Sequence, residues 1–134
     1  MTYLLDTSTC IAFLRHHDSP VARKLATVKR ADVLICSVVR AELYFGAHRH
    51  AQPEQKLGIL KDFLSVFQSA PFDDRAAEIY GKLRADLART GNLIGPNDLL
   101  IASIALAWDA TLVTCNMAEF SRVPDLRIED WERQ

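Results

Sequence analysis

Short runs of consecutive apolar residues alternate along this chain with longer stretches in which apolar positions recur every three or four residues. The first pattern is how a strand reads when both faces of its sheet are covered, and the second marks one face of a helix. Tyr3-Leu4-Leu5, Val33-Leu34-Ile35-Cys36 and Thr111-Leu112-Val113-Thr114 are of the first kind, so each is expected to be a buried strand. Between the first two, a short helix through Cys10, Ile11, Phe13 and Leu14 precedes a Ser19-Pro20 helix start that leads through Val21, Leu25 and Val28 to near Arg30. Serine is a good cap there, and proline has the φ that the first helical position needs. That much helical chain allows the right-handed crossover that two parallel strands require.

Ser37 reads as the cap of a third helix, with Val38, Val39 and Phe45 on one stripe with Glu42. Pro53 opens a helix that sets Leu57, Leu60, Phe63, Leu64 and Phe67 against a polar face. A short strand is expected within Val66 to Phe72. Asp73 or Asp74 then caps a long helix through Ala77, Tyr80, Leu83 and Leu87 to Thr90-Gly91. Gly91-Asn92-Leu93-Ile94-Gly95-Pro96-Asn97 is the clearest loop, and Leu99 to Trp108 is apolar or small at nearly every position, as in a helix buried on most sides. Leu126-Arg127-Ile128 adds a last edge strand. The fold class is therefore α/β: a central, mostly parallel twisted sheet of four to five strands with helices on both faces, in a single domain spanning 1–134.

Charge and cysteine content narrow the class of partners. With 16 basic and 17 acidic residues the formal net charge is -1, so no overall field draws the protein to nucleic acid or anionic membrane, and any polyanion must be met locally. Cys10, Cys36 and Cys115 are widely spaced in apolar runs without metal-ligand spacing, which suits core thiols in a reducing compartment. The longest uncharged apolar stretch, Leu99 to Trp108, is too short to span a bilayer. A cytoplasmic protein with no membrane partner is expected.

Candidate chemistry lies at the strand ends. All carboxyl ends of a parallel sheet share one edge, where ligands bind in open α/β folds. Asp6 ends the first strand, Glu42 follows the second by one to two helical turns, Asp98 opens the buried helix, and Glu119 follows the strand that ends at Thr114. Each has another reading: Asp6 and Asp98 as helix caps, Glu42 and Glu119 as solvated acids. Four acids from four segments on one edge favour a shared cause. Packed together they repel, and a hard divalent cation relieves that best. Mg2+ or Mn2+ held by carboxylates supports phosphodiester hydrolysis, with an acid off the metal to hold or deprotonate the attacking water.

Leu4-Leu5-Asp6-Thr7-Ser8, Ser37-Val38-Val39-Arg40-Ala41-Glu42-Leu43 with Gly46, Gly95-Pro96-Asn97-Asp98-Leu99-Leu100-Ile101-Ala102, and Leu112-Val113-Thr114-Cys115-Asn116 with Glu119-Phe120 resemble, in order and separation, the PIN-domain ribonuclease toxins of the VapC type. The likeness runs to the closing Val123-Pro124-Asp125-Leu126-Arg127-Ile128-Glu129-Asp130-Trp131. It implies that Asp6, Glu42, Asp98 and Glu119 are the catalytic acids, with Asp6, Asp98 and Glu119 as metal ligands and Thr7, Thr114 and Asn116 as supports beside them. It also implies a Mg2+- or Mn2+-dependent endoribonuclease, a homodimer, and a VapB-type antitoxin lying over the groove. Family members nearest in pattern cut initiator tRNA in its anticodon loop. Ser8 stands where Asn is frequent, and Cys115 where Asn or Arg is usual.

Other readings carry less. A magnesium-dependent phosphatase of the haloacid dehalogenase type needs a second acid two residues after the first, where this chain has Ser8. A catalytically silent RNA-binding or interaction module would have no use for four acids. The pairs His16-His17 and His48/His50 sit near helix ends among charged residues, as solvated histidines or as contacts to phosphate beside the acids. Arg75, Lys82 and Arg89 recur every seven residues, as a solvated face or, less simply, a ridge for RNA. Trp108 and Trp131 read as packing residues.

Overall fold

The computed structural model describes residues 1–133. The three apolar runs form β1 (Tyr3–Leu5), β2 (Val33–Cys36) and β4 (Thr111–Val113), joined by β3 (Gln68–Ala70) and β5 (Ile128–Glu129) in one parallel five-stranded sheet of order β3-β2-β1-β4-β5. β1 is central, with Leu4 in register with Leu34 on one side and Leu112 on the other. Every residue of β2 and β4 is buried, so both faces of the sheet are covered, as uninterrupted apolar runs require.

Seven α-helices supply the cover: α1 (Thr7–Arg15), α2 (Pro20–Thr27), α3 (Ser37–His48), α4 (Pro53–Ser65), α5 (Asp74–Arg89), α6 (Pro96–Ala107) and the short α7 (Met117–Phe120). α3 packs on α4 and α5 on α6. α6 is the apolar helix of the sequence; Ile101, Ala102, Ile104 and Ala105 lose all solvent contact, and the Ser103 hydroxyl turns back to the Leu99 carbonyl at 2.8 Å. None of the described helices is long and apolar enough to cross a membrane.

Several boundaries differ from the sequence reading for local reasons. α2 stops at Thr27 rather than near Arg30, and a tight turn at Arg30–Asp32 feeds β2. Cys36 caps α3 and Ser37 is already its first helical residue, with no side-chain cap bond. On α5 the buried alanine is Ala76, not Ala77, because Asp73 caps the helix by accepting the Ala76 N–H at 3.0 Å. Phe45 does not share an apolar stripe: it is 62% exposed, with the Arg49 guanidinium over its ring at 5.4 Å. Cys115 is exposed while Cys10 and Cys36 are core. Trp131 is buried edge-on to Tyr3, closing the chain's end onto the first strand, whereas Trp108 is 39% exposed. Lys82 and Arg89 both pair with Asp86, which makes that row a solvated face.

Arg40 carries no signal in the hydrophobic pattern, yet it holds the β2–β3 margin. From the first turn of α3 its Nε donates to the Ile35 carbonyl at 2.8 Å and its Nη2 to the Phe67 carbonyl at 3.0 Å. A planar fork spanning two strand-end carbonyls is something a lysine does not reproduce. Arg40→Leu, leaving both carbonyls without a donor, is expected to cost about 2–3 kcal/mol, seen as a lower urea midpoint at unchanged slope. Arg40→Lys should recover less than half of that loss.

Candidate active site

Four carboxylates meet at the carboxyl edge of the sheet, each delivered by the element that precedes or opens there. Asp6 is the first residue after β1 and the cap of α1: the Thr7 N–H donates to its Oδ1 at 2.8 Å. The capping and functional readings thus coincide. Its other oxygen, Oδ2, accepts the Thr114 hydroxyl at 2.7 Å. Its own N–H donates to the Val113 carbonyl at 2.9 Å, which continues the β1–β4 pairing to the site. Asp6 is only 6% exposed, and that burial raises its carboxyl above the ordinary range, against the pull of the Thr114 and Thr7 donors.

Glu42 projects from α3, half-buried, and accepts the Thr7 hydroxyl at 2.9 Å. Thr7 therefore holds two acids, one by its backbone and one by its side chain. Glu119 in α7 is held at both oxygens: the Gly95 N–H donates to Oε1 and the Asn116 amide to Oε2, each at 2.6 Å. Asn116 is itself fixed by its backbone N–H on the Thr114 hydroxyl at 3.0 Å. A single path of hydrogen bonds thus runs from Asp6 through Thr114 and Asn116 to Glu119 and the Gly95 loop.

Asp98, in the first turn of α6, completes the cluster. Glu119 Oε1 and Asp98 Oδ2 lie 3.5 and 3.6 Å from the point where a side chain at Gly95 would begin. The two carboxyls shift each other's affinity for a proton in opposite directions. The Gly95 N–H, followed by Asp98 and Asn116, keeps the Glu119 carboxyl below its ordinary range, while desolvation and then the hydrogen-bonded Glu119 push Asp98 up to about 7. Asp6 and Glu42 add to the repulsion at Asp98. None of the ion pairs among the described residues includes any of the four acids. The rim is therefore an anionic site without an ion pair, with Arg122 acting on Glu119 only from a distance, and its donors are all oxygen, the donor chemistry of a hard divalent cation. Among the described residues no three acids, histidines or cysteines close tightly enough to chelate an ion by themselves. That open arrangement suits an ion that keeps part of its water shell.

A family model described as the PIN domain matches residues 3–126, which span all four acids. The chain belongs to the PIN-domain family. Among curated relatives, the Ribonuclease VapC2 of Rickettsia felis is 41% identical over 99% of this chain and 100% of that protein. The tRNA(fMet)-specific endonuclease VapC of Salmonella typhimurium is 35% identical over 98% of each. The VapBC2 structure from Rickettsia felis bound to a promoter DNA fragment superposes with a TM-score of 0.92 at 39% identity, over 98% of this chain and 99% of that one. DNA-bound VapBC from Salmonella typhimurium gives 0.91 at 35% identity, over 98% of each chain.

This PIN domain brings together every site residue expected from its sequence: Asp6, Thr7, Glu42, Asp98, Thr114, Asn116 and Glu119. Two further supports have no counterpart in the sequence reading. The buried Thr9 hydroxyl donates to the Val113 carbonyl at 3.0 Å, tying α1 to β4, and Gly95 acts through its backbone N–H. Ser8, which stands where Asn is frequent, accepts the Cys115 N–H at 3.4 Å and so joins the first acidic segment to the last. No periodicity signals a backbone donor, although a glycine just ahead of a helix start is where one would look.

The raised Asp98 carboxyl makes stability depend on pH. A carboxyl raised in the fold binds its proton more tightly than in the unfolded chain, so stability falls as pH rises from about 4 to about 7 and stays low above that. Asp6 acts in the same direction, and the lowered Glu119 contributes its opposite effect below this window. Metal-free protein should therefore have a lower urea midpoint at pH 8 than at pH 5.5. Asp98→Asn, whose amide donates to Glu119 without a titrating proton, should flatten that dependence. It should stabilise the protein at pH 8 by about 1–2 kcal/mol, after discounting for solvent screening of a half-exposed group.

Proposed function

We propose that the chain acts as a single PIN catalytic domain: a divalent-metal-dependent endoribonuclease that serves as the toxin of a type II toxin-antitoxin pair. The observation that carries this reading is the anionic rim itself, in which four carboxylates from four segments meet and none is in an ion pair among the described residues. The VapC names and VapBC structures of relatives that match along nearly their whole length support it.

Asp6, Asp98 and Glu119 are the residues to hold Mg2+ or Mn2+. A bound divalent cation supplies Lewis acidity toward a phosphoryl oxygen and lowers the pKa of a water in its shell. Asp6 enters with its orientation fixed from both sides by Thr7 and Thr114, so little rearrangement is needed for it to act as a ligand. Glu119 has one oxygen on the Gly95 N–H and the other on Asn116, and each oxygen keeps a lone pair. Asp98 gives up its proton on loading, which makes metal affinity rise with pH through the same range that sets its charge. Glu42 is the acid left over. Steadied by the Thr7 hydroxyl, it takes the proton of the water that attacks phosphorus while the ribose oxygen leaves.

By the relatives' names the substrate is tRNA, with initiator tRNA the first to test and its anticodon loop the expected place of cleavage. Single-stranded loops are where RNA presents a reachable backbone. The expected partners are a VapB-type antitoxin covering the rim and a second copy of the chain, in the cytoplasm.

Incubating antitoxin-free protein with purified total tRNA and Mg2+ or Mn2+ should yield discrete fragments whose ends give the cut site. Chelator should abolish them, and Asp6→Asn should lower the rate at least a thousandfold while its circular dichroism and metal-free melting remain close to wild type. An Asp6→Asn protein that cuts at the wild-type rate would sink the assignment.

A further inference from the structure

An RNA strand entering an anionic rim has to be held by cations somewhere beyond it, and the net charge of -1 provides no general attraction. Next to the rim lies a groove of about 450 Å³ between α1, α3 and α4, and Glu42 is part of its wall. The groove therefore opens from the site itself. Its lip carries Arg15 from the end of α1, His50 from just past α3 and Lys56 from the first turns of α4. In the sequence, the histidine and arginine clusters at these helix ends have no single reading. The fold places one member of each on a common cavity, beside a catalytic acid.

Among the described residues, Arg15 and Lys56 have no ion-pair partner, while Lys82 and Arg89 are taken by Asp86, Arg23 by Asp18 and Arg127 by Asp109. Lys82 and Arg89 share the one Asp86 carboxylate, so the α5 row is engaged within its own helix, and none of its members lines this groove. His50 accepts the Gln52 N–H at Nδ1, 3.1 Å, so its remaining nitrogen is the donor. Between the cations the floor is apolar, with Ile11 half-buried and Ile59 48% exposed. Cations on the lip above an apolar floor are what a single-stranded nucleic acid requires: phosphates outside, a base face inside.

We propose that this groove is the RNA-strand subsite adjoining the scissile phosphate, in which Arg15, Lys56 and the His50 N–H hold backbone phosphates while a base lies against the Ile11 and Ile59 floor. The inference rests on the ribonuclease reading above and adds to it the path by which substrate leaves the acids. An acidic-apolar peptide would match the same chemistry less closely, because phosphates recur at every nucleotide and the donors come from three separate elements along the lip.

The test measures binding of a fluorescein-labelled single-stranded RNA of mixed sequence, and of purified total tRNA, to Asp6→Asn protein with Mg2+ across roughly 50–200 mM salt. Arg15→Gln combined with Lys56→Gln should weaken binding about tenfold at low salt and reduce the slope of log K against log salt by about 1.4, near 0.7 for each phosphate no longer neutralised. Lys24→Gln combined with Lys29→Gln, an equal charge change placed ahead of the amino end of β2, should leave that slope unchanged. Ile59→Ser should weaken binding without altering the slope. Equal losses in the two double variants, or an unchanged slope in the Arg15/Lys56 variant while wild type still cuts tRNA, would overturn the groove assignment and leave the ribonuclease standing. Loss of affinity for a VapB-type antitoxin with RNA binding intact would assign the groove to protein and overturn the proposal equally. The ribonuclease reading fails by a different result, cleavage that survives Asp6→Asn.

Discussion

The site depends on keeping a buried carboxylate ionisable at the end of the central strand. Asp6 has given up nearly all of its water, and desolvation disfavours its charged form. The chain opposes this with the Thr7 N–H on one oxygen and the Thr114 hydroxyl on the other. The first donor is available because α1 begins immediately after β1. The second is available because β4 lies beside β1 in parallel register, so that Leu5 is opposite Val113 and the residues that follow them meet. An acid in this place requires both a helix start and a neighbouring parallel strand.

The sheet order explains why the remaining acids arrive at the same point. The chain moves outward from β1 to β2 and β3, then returns to the other side of β1 for β4 and β5. Crossovers that leave a strand in opposite directions open a crevice at its carboxyl end, and the segments entering that crevice are the start of α3, the loop ahead of α6 and the turn into α7. Glu42, Asp98 and Glu119 sit on those segments. Their mutual repulsion is not relieved by any ion pair among the described residues; it is moderated by the raised affinity of Asp98 for its proton, by backbone and amide donors at Glu119 and by the more distant charge of Arg122. A site arranged this way is strained toward cations, and its rigidity comes from hydrogen bonds to neutral groups that a bound ion does not have to displace.

Much of this was legible in the sequence because the signals are of a kind that burial writes directly. Uninterrupted apolar runs gave β1, β2 and β4, and the near absence of polar residues from Leu99 to Trp108 gave the buried helix. The acids could be placed on one edge from strand direction alone. What escaped has a common physical character. Arg40, Thr9 and Gly95 act through contacts with backbone carbonyls or as backbone donors, and such bonds leave no periodic trace. Phe45 was misplaced because helical spacing identifies a face but not whether anything packs against it; an arginine four residues on covers the ring instead. Cys115 was read as core from the apolar strand before it, yet the strand ends at Val113 and Cys115 already belongs to the turn that positions Asn116.

An enzyme that cuts a polyanion with a polyanionic site meets its substrate's charge unfavourably at the point of chemistry. A strongly basic protein could compensate through its overall field, but a near-neutral chain cannot. Compensation has to be local and divided: a cation among the acids for the reacting phosphate, and unpaired side chains a short distance along the strand for its neighbours. The two parts differ in what they select. On the proposed function, the acids with a bound metal would act on any accessible phosphodiester, whereas the lip and apolar floor beside Glu42 would act only on a strand that can lay its backbone along the lip and turn a base inward. Paired, stacked RNA keeps its bases inside and fails that condition, while an exposed loop meets it. Discrimination between duplex and loop then follows from the arrangement of charge around the acids, without any side chain that reads a base edge.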